Sequence, residues 1–506
     1  MKDKGKKMNK RKMNLLLITI DALRLDHLSI MGYEKKTTPY LDKLARKGFF
    51  FRQVISNGPC TPPSFSSIFT STYPFHQGGY SPLPENKTTL AEVLQSRGYI
   101  TVAIHSTPLL SRFYGYDRGF DIFYDAMLTN SDSTIKNSLL SKFMTKGSLL
   151  NNIMNFFQSI KIPKKFQYYF QVAFYTKFIG RKEYYENAKI LLHKAFVWLK
   201  KYNMGENRQK KPYFLWVHLM EPHDPYFPYK RFLKKIKADK LTLKEIKYIR
   251  EHPEYMEILR EYKMTDKLLN LYDAEIRYAD AKIRRFFKKL NRKNRNWLKN
   301  TLTVITADHG EEFYERGAYG HNAQLHDEIL RVPLIFISNE LKKLKKIKQK
   351  DIKNIIDMRD LAPTILKLLG LPPEPSFTGK SFADLIYYDQ EIQDDPIHKG
   401  VFSETFHKEG ITRFSNLHDP SIKRIISYRT SKWKYIINEE TMNEELYDLE
   451  NDPEEKINVI KEYPKLNRIF RNKIVMHLKE KEISERNLKD LTEKKKITQA
   501  IRRIKI

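Results

Sequence analysis

From Leu15 to Ile20 every residue is apolar or β-branched, and the run stops at Asp21. A short unbroken run of this kind predicts a strand buried on both faces. The pattern returns at 213–219 (YFLWVHL) and at 301–307 (TLTVITA), the second ending in Asp308, His309 and Gly310. Phe49 to Val54 and the stretch 99–104 supply further strands. Between them the period changes to that of a helix: Phe65, Ile68 and Phe69 fall at i, i+3, i+4, and Ala188, Leu191, Leu192, Ala195 and Leu199 form one stripe. Leu271, Ile276, Ile283, Phe286 and Phe287 mark the core side of a long charged helix, and a helix within 359–375 is stopped by Gly370 and two prolines. Buried strands alternating with helices predict an α/β fold with a mostly parallel sheet sandwiched by helices. Short strands and turns beyond 376 predict a small antiparallel C-terminal subdomain. The expected divisions are a basic extension over 1–13, the α/β domain over 14–375 with a helical insertion or lid over 131–211, the subdomain over 376–458, and a basic helical tail over 459–506.

At 506 residues the chain exceeds what one core holds, and 41% hydrophobic content marks it as globular. No apolar run approaches the roughly 20 residues of a membrane span. The basic start imitates a signal peptide, but its apolar part ends at Asp21, too early for such a segment. Cytoplasmic residence is the expectation. The single cysteine excludes an internal disulfide and a thiolate zinc cage. A net charge of +32 favours anionic partners, but the Lys and Arg are spread along the chain and form no nucleic-acid recognition motif. A peripheral contact of the 131–211 region with an anionic membrane is the sharper alternative to ordinary helical packing there.

The chemistry gathers at the ends of the buried runs. Asp21 and Asp308 end two strands, where open α/β sheets place ligands. As hard oxygen ligands they suit calcium, or else magnesium. The stretch from Ser56 to Gly79 holds Cys60 just before a predicted helix, with Thr61 supplying a capping oxygen and Pro62 in the first helical position. A reactive side chain there would sit beside free N–H groups and the positive end of a helix dipole.

CTPPS followed by FTSTYP resembles the sulfatase signature C-x-P-x-R followed by a T-G-R-Y-P-like run, with Ser64 in the place of the arginine. The strand ending in Asp21, the HLMEPHDPY segment, the Asp-His-Gly at 308–310 and Gly320-His321 before an R-V-P-L strand resemble sulfatases in the family's order. Many sulfatases carry a second aspartate where this chain has Ala22. The resemblance covers about residues 14–458 and implies an alkaline phosphatase-like fold and hydrolysis of a sulfate ester at one cation. On it, Cys60 becomes formylglycine, whose hydrate attacks sulfur. Asp21 and Asp308 bind the metal, with His309 and Cys60 beside them. His321 is the general acid, His223 reaches the ester group, and Thr61 and His105 are further substrate contacts. His218 is expected to be a packed or supporting histidine, and Asp26 and His27 either pin the following turn or touch the metal. Two alternatives stay open. One is a phosphodiester or phosphonate monoester hydrolase, or a phosphoryl-type transferase, using unmodified Cys60 or Thr61 with a pair of zinc ions. The other is a non-catalytic, polyanion- or membrane-associated protein of this fold.

Overall fold

The computed structural model describes residues 12–77, 82–125, 185–204, 211–238, 241–242, 245, 255–293, 299–321, 324–343, 350–387, 399–406 and 423–479. Most of the 131–211 insertion, nearly all of the N-terminal extension and the end of the tail lie outside the described residues.

Strands β1 (Asn14–Ile20), β2 (Phe49–Ile55), β3 (Ile100–Ile104), β4 (Ile122–Tyr124), β5 (Tyr213–Leu219), β6 (Thr301–Ala307), β9 (Arg331–Ile337) and β10 (Lys350–Asp357) build one sheet in the order β10-β2-β9-β6-β1-β5-β3-β4. Between β6 and β9 lie the two-residue strands β7 (Glu312–Phe313) and β8 (Tyr319–Gly320), which pair with each other. All pairings in the large sheet are parallel except those of β9, which runs antiparallel to β2 and β6. Every residue of β5 and β6 is buried, as their unbroken apolar runs require.

Helices cover both faces, and β5 shows why. Trp216 meets Phe65 and Phe69 of α2 (Thr61–Thr70), while Tyr213, three positions earlier and therefore on the opposite face, meets Trp198 and Tyr202. Those two belong to α4 (Ala188–Met204), which packs with α1 (Pro39–Ala45) and α5 (Thr265–Lys293) in one layer. Helices α3 (Leu90–Ser96) and α6 (Leu361–Leu368) join α2 in the other. The five α5 residues singled out by periodicity are all buried, with Leu268 and Tyr272 beside them. Among the described residues no helix is long and apolar enough to cross a membrane.

The second sheet is antiparallel, in the order β11 (Gly400–Phe406), β12 (Arg424–Thr430), β13 (Trp433–Asn438) and β14 (Asn443–Asp448). Residues 464–479 form a helix that sets Phe470 and Ile474 into its apolar cluster. This subdomain grips the loop that leads to Cys60: Glu404 N–H donates to Asn57 O at 2.9 Å, and Ser403 Oγ to Ser56 O at 2.5 Å.

Candidate active site

Register assembles the site. Ile20 lies opposite Ala307 across the β1–β6 pair, so the next residues, Asp21 and Asp308, leave two adjacent strands at one level. Both are fully buried. Ala22 N–H donates to Asp308 Oδ1 at 3.2 Å, from a left-handed backbone at φ 53°. That conformation costs a non-glycine residue about 1–2 kcal/mol. Tyr272 holds it, its hydroxyl donating to Ala22 O at 2.6 Å and accepting from Arg24 N–H at 2.9 Å. On the other strand the backbone runs tight: a Cβ on Gly310 would lie 2.1 Å from Glu328 O, so only glycine fits.

Asp21 Oδ1 and Asp308 Oδ2 are buried with no hydrogen-bond partner. Of the other oxygens, Asp308 Oδ1 is held by Ala22 N–H and Asp21 Oδ2 faces His218 Nε2 at 3.1 Å. Behind it runs a chain: Trp216 Nε1–H donates to Thr19 Oγ1, 3.0 Å away, and Thr19 Oγ1 lies 2.9 Å from His218 Nδ1. The chain is satisfied throughout when the His218 proton sits on Nε2 and points at Asp21. His218 thus orients one oxygen and leaves the other bare. One donor atom from each of Asp21, His218 and Asp308 lies within 4.8 Å of the other two.

His309 completes the cradle. Its Nδ1 faces Gly310 O at 2.8 Å, so the proton belongs there and Nε2 presents a lone pair. That nitrogen lies 3.5 Å from Asp21 Oδ1, 3.6 Å from Asp308 Oδ2 and 3.3 Å from Thr61 Oγ1. Burial keeps its pKa below the ordinary value. Two bare carboxylate oxygens and an imidazole lone pair converging without a proton between them suit a divalent cation. The charges show the same conflict: burial opposes ionisation of both acids, yet His223 and the other histidines hold Asp21 low, and burial together with Asp21 pushes Asp308 up to about 7.

Helix α2 starts at Thr61, with half-buried Cys60 in the capping position and no side-chain cap bond. The expected arrangement is corrected here. Thr61 is the first helical residue and turns its hydroxyl to His309, because Cys60 already occupies the extended position before the helix. Pro62 is second. Ser64 is buried and turns back on the entering loop, its hydroxyl donating to Gly58 O at 2.9 Å and lying 2.9 Å from Ser56 Oγ.

His321 and His223 stand over the cradle. The His321 ring centre is 4.3 Å from that of His309 and 5.0 Å from that of His223. Glu311 Oε1 meets His321 Nδ1 at 2.7 Å, and although burial disfavours its charge, His321 and His223 keep the Glu311 pKa below the usual range. His223 Nδ1 donates to Asp224 O at 2.5 Å, and Asp21 and Glu311 raise its pKa against the effect of burial. His105 is not brought to this group. It is fully buried between the rings of Trp216 and Phe123, where burial drives its pKa far down. Asp26 and His27 point elsewhere, to Arg24 at 2.7 Å and to Asp273 at 2.7 Å. Sequence reasoning missed Glu311, whose only signal was its place directly after Asp-His-Gly; His218, opposite Thr19 in the β1–β5 register, takes the supporting place expected of it.

The sulfatase family model matches residues 13–371, and a second model, N-sulphoglucosamine sulphohydrolase, C-terminal, matches 315–484. A sulfatase of Formosa agariphila is 25% identical over 491 residues, covering 90% of this chain and 85% of its own. An arylsulfatase of Clostridium perfringens is 24% identical over 469 residues, covering 89% and 90%. A solved structure in complex with its substrate D-glucosamine-2-N,6-O-disulfate shares the fold with a TM-score of 0.66 at 17% identity, over 93% of this chain and 98% of that one. With the strand-end carboxylates, the helix start at Cys60 and the family match over most of the chain on record, this protein belongs to the sulfatase family and is a sulfuric ester hydrolase.

Proposed function

We propose that the enzyme cleaves a sulfate ester of a carbohydrate at a single calcium-type cation held by Asp21 and Asp308, with position 60 as the nucleophile. The observation that carries the metal assignment is the pair of buried, partnerless oxygens on adjacent strand ends, beside a lone pair of His309. Carboxylate oxygens favour calcium or magnesium over softer-ligand ions. The cation would neutralise the sulfuryl oxygens and hold the ester in place. Converted to formylglycine, position 60 would supply an oxygen nucleophile at the positive end of α2.

The remaining work falls to side chains of the chain itself. His321, oriented by Glu311, would give its proton to the departing alkoxide, a role supported by its Glu311 partner. His223, whose charge Asp21 and Glu311 favour, offers a positive group to the sulfuryl oxygens. Thr61 and His309 steady the start of the helix against the metal ligands. The carbohydrate part of the proposal is supported by the C-terminal family match and by the sulfated amino sugar bound in the related fold. The positive charge of the chain would draw such anions in.

The test is the mass of the peptide that contains Cys60, taken from active protein, together with sulfate release from sulfated amino sugars and from an aryl sulfate. Formylglycine at position 60 and sulfate release from the sugar support the proposal. Unaltered cysteine in protein that turns over a phosphate or phosphonate ester would replace it.

A further inference from the structure

The described residues contain a second cluster of metal-ligand type, remote in sequence from the strand ends. It joins His76, just beyond α2, to Glu404 of β11 and His477 of the 464–479 helix. One donor atom of each lies within 4.8 Å of the other two. Glu404 is fully buried and His477 is 3% exposed. Each group is held in place. Phe75 N–H donates to Glu404 Oε2 at 2.7 Å, and Glu404 Oε1 is hydrogen-bonded to His477 Nε2 through a proton that a cation would displace. The His477 ring lies flat on Phe402, with centroids 4.0 Å apart and planes 6° from parallel, and the Tyr73 ring meets its edge at 4.6 Å. His76 stacks on His477 at 4.8 Å, and its Nε2 is buried with no hydrogen-bond partner. A buried imidazole nitrogen left bare beside a carboxylate and a second imidazole is costly unless something fills the gap.

We propose that His76, Glu404 and His477 hold a zinc-class divalent cation, a second metal site distinct from the one at Asp21 and Asp308. Two imidazoles and one carboxylate form a borderline ligand set that favours zinc over calcium or magnesium. The three ligands come from three separate parts of the fold, so the ion ties the C-terminal helix and the small sheet to the segment that follows α2. It also braces the wall beside the nucleophile, because Cys60 packs on the cluster formed by Phe75, Phe406, Tyr428 and Phe470. The site is structural and takes no part in the chemistry at sulfur, so it stands or falls independently of the function proposed above.

The test uses the full chain, stripped with a chelator and titrated with zinc in the presence of excess calcium, which keeps the oxygen site filled. Zinc per chain is measured by atomic emission after gel filtration, and the thermal midpoint is followed alongside. One retained zinc is expected, with a midpoint raised by the metal. His477→Ala and the gentler His76→Gln, at a half-buried position, are each expected to weaken zinc binding at least ~100-fold, beyond the 10–100-fold cost of disturbing a ligand's support. Asp308→Ala is expected to keep the zinc. A wild-type chain that binds no more zinc than the folded His76→Gln variant, or zinc that leaves with Asp308 and not with His76, overturns the assignment.

Discussion

At the ends of β1 and β6 two buried carboxylates each present an oxygen that no donor meets, whereas Asp327, mostly buried against the small sheet, is met by Arg429 at 2.9 Å and by Lys434 at 3.0 Å. Burial raises the energy of an ionised carboxylate in both places. Around Asp327 fixed cations outweigh it and hold the pKa far below the ordinary value. Around Asp21 and Asp308 the protein supplies histidines, backbone N–H groups and a like charge instead. A paired buried charge is architecture, locking β12 and β13 to the core. An unpaired one is a standing cost that a bound cation removes, which marks it as function.

The sharpest way to break the contrast is at the oxygen pair. Asp308→Ala should abolish calcium binding and turnover together, as read by calorimetric titration and sulfate release, while the cation-free protein unfolds no earlier than wild type because a buried like-charge conflict has gone. Retention of both binding and turnover would remove Asp308 from the metal. Next, His321→Ala should lower kcat by ~10²–10⁴, with a smaller loss for Glu311→Gln. An unchanged kcat would reassign the acid.

On the architectural side, Asp327→Ala leaves the buried Arg429 with no carboxylate and Lys434 with Glu455 alone, and should cost about 3–5 kcal/mol in denaturant unfolding without touching the metal. Asp280 gives a milder measure. This buried acid of α5 accepts the Tyr40 and Leu41 N–H groups at the start of α1, yet burial raises its pKa from 3.8 to about 6. A raised folded pKa stabilises below the unfolded value, and that contribution is lost as pH rises through the folded one. Asp280→Asn should therefore gain on wild type by about 2 kcal/mol between pH 4 and pH 7. Smallest is Tyr272→Phe, which removes the hydroxyl that holds Ala22 in its left-handed turn. A loss of about 1 kcal/mol is expected, together with weaker calcium binding.

Much of this was legible along the chain. The runs ending in Asp21 and Asp308 announced buried strands, and the five apolar positions read in α5 are all among those its structure buries. The helix after Cys60 was readable too, although its first residue was not, since a threonine and a cysteine are both acceptable before Pro62. The β9 strand shows a limit of another kind. Its RVPLIFI run reads like its parallel neighbours, and nothing local records that it runs the other way.

By itself the sequence determined which segments are strands and helices, where two strands end in carboxylates, and which cysteine stands before a helix, because period and end chemistry are local properties of the chain. Tertiary structure decided the rest. It set Ile20 against Ala307, so that Asp21 and Asp308 share one site, aimed His218 at one carboxylate oxygen, gave Glu311 to His321, and gathered residues 76, 404 and 477. The reason is that strand pairing and helix docking minimise the free energy of the whole packed core, and that choice is written in no single stretch.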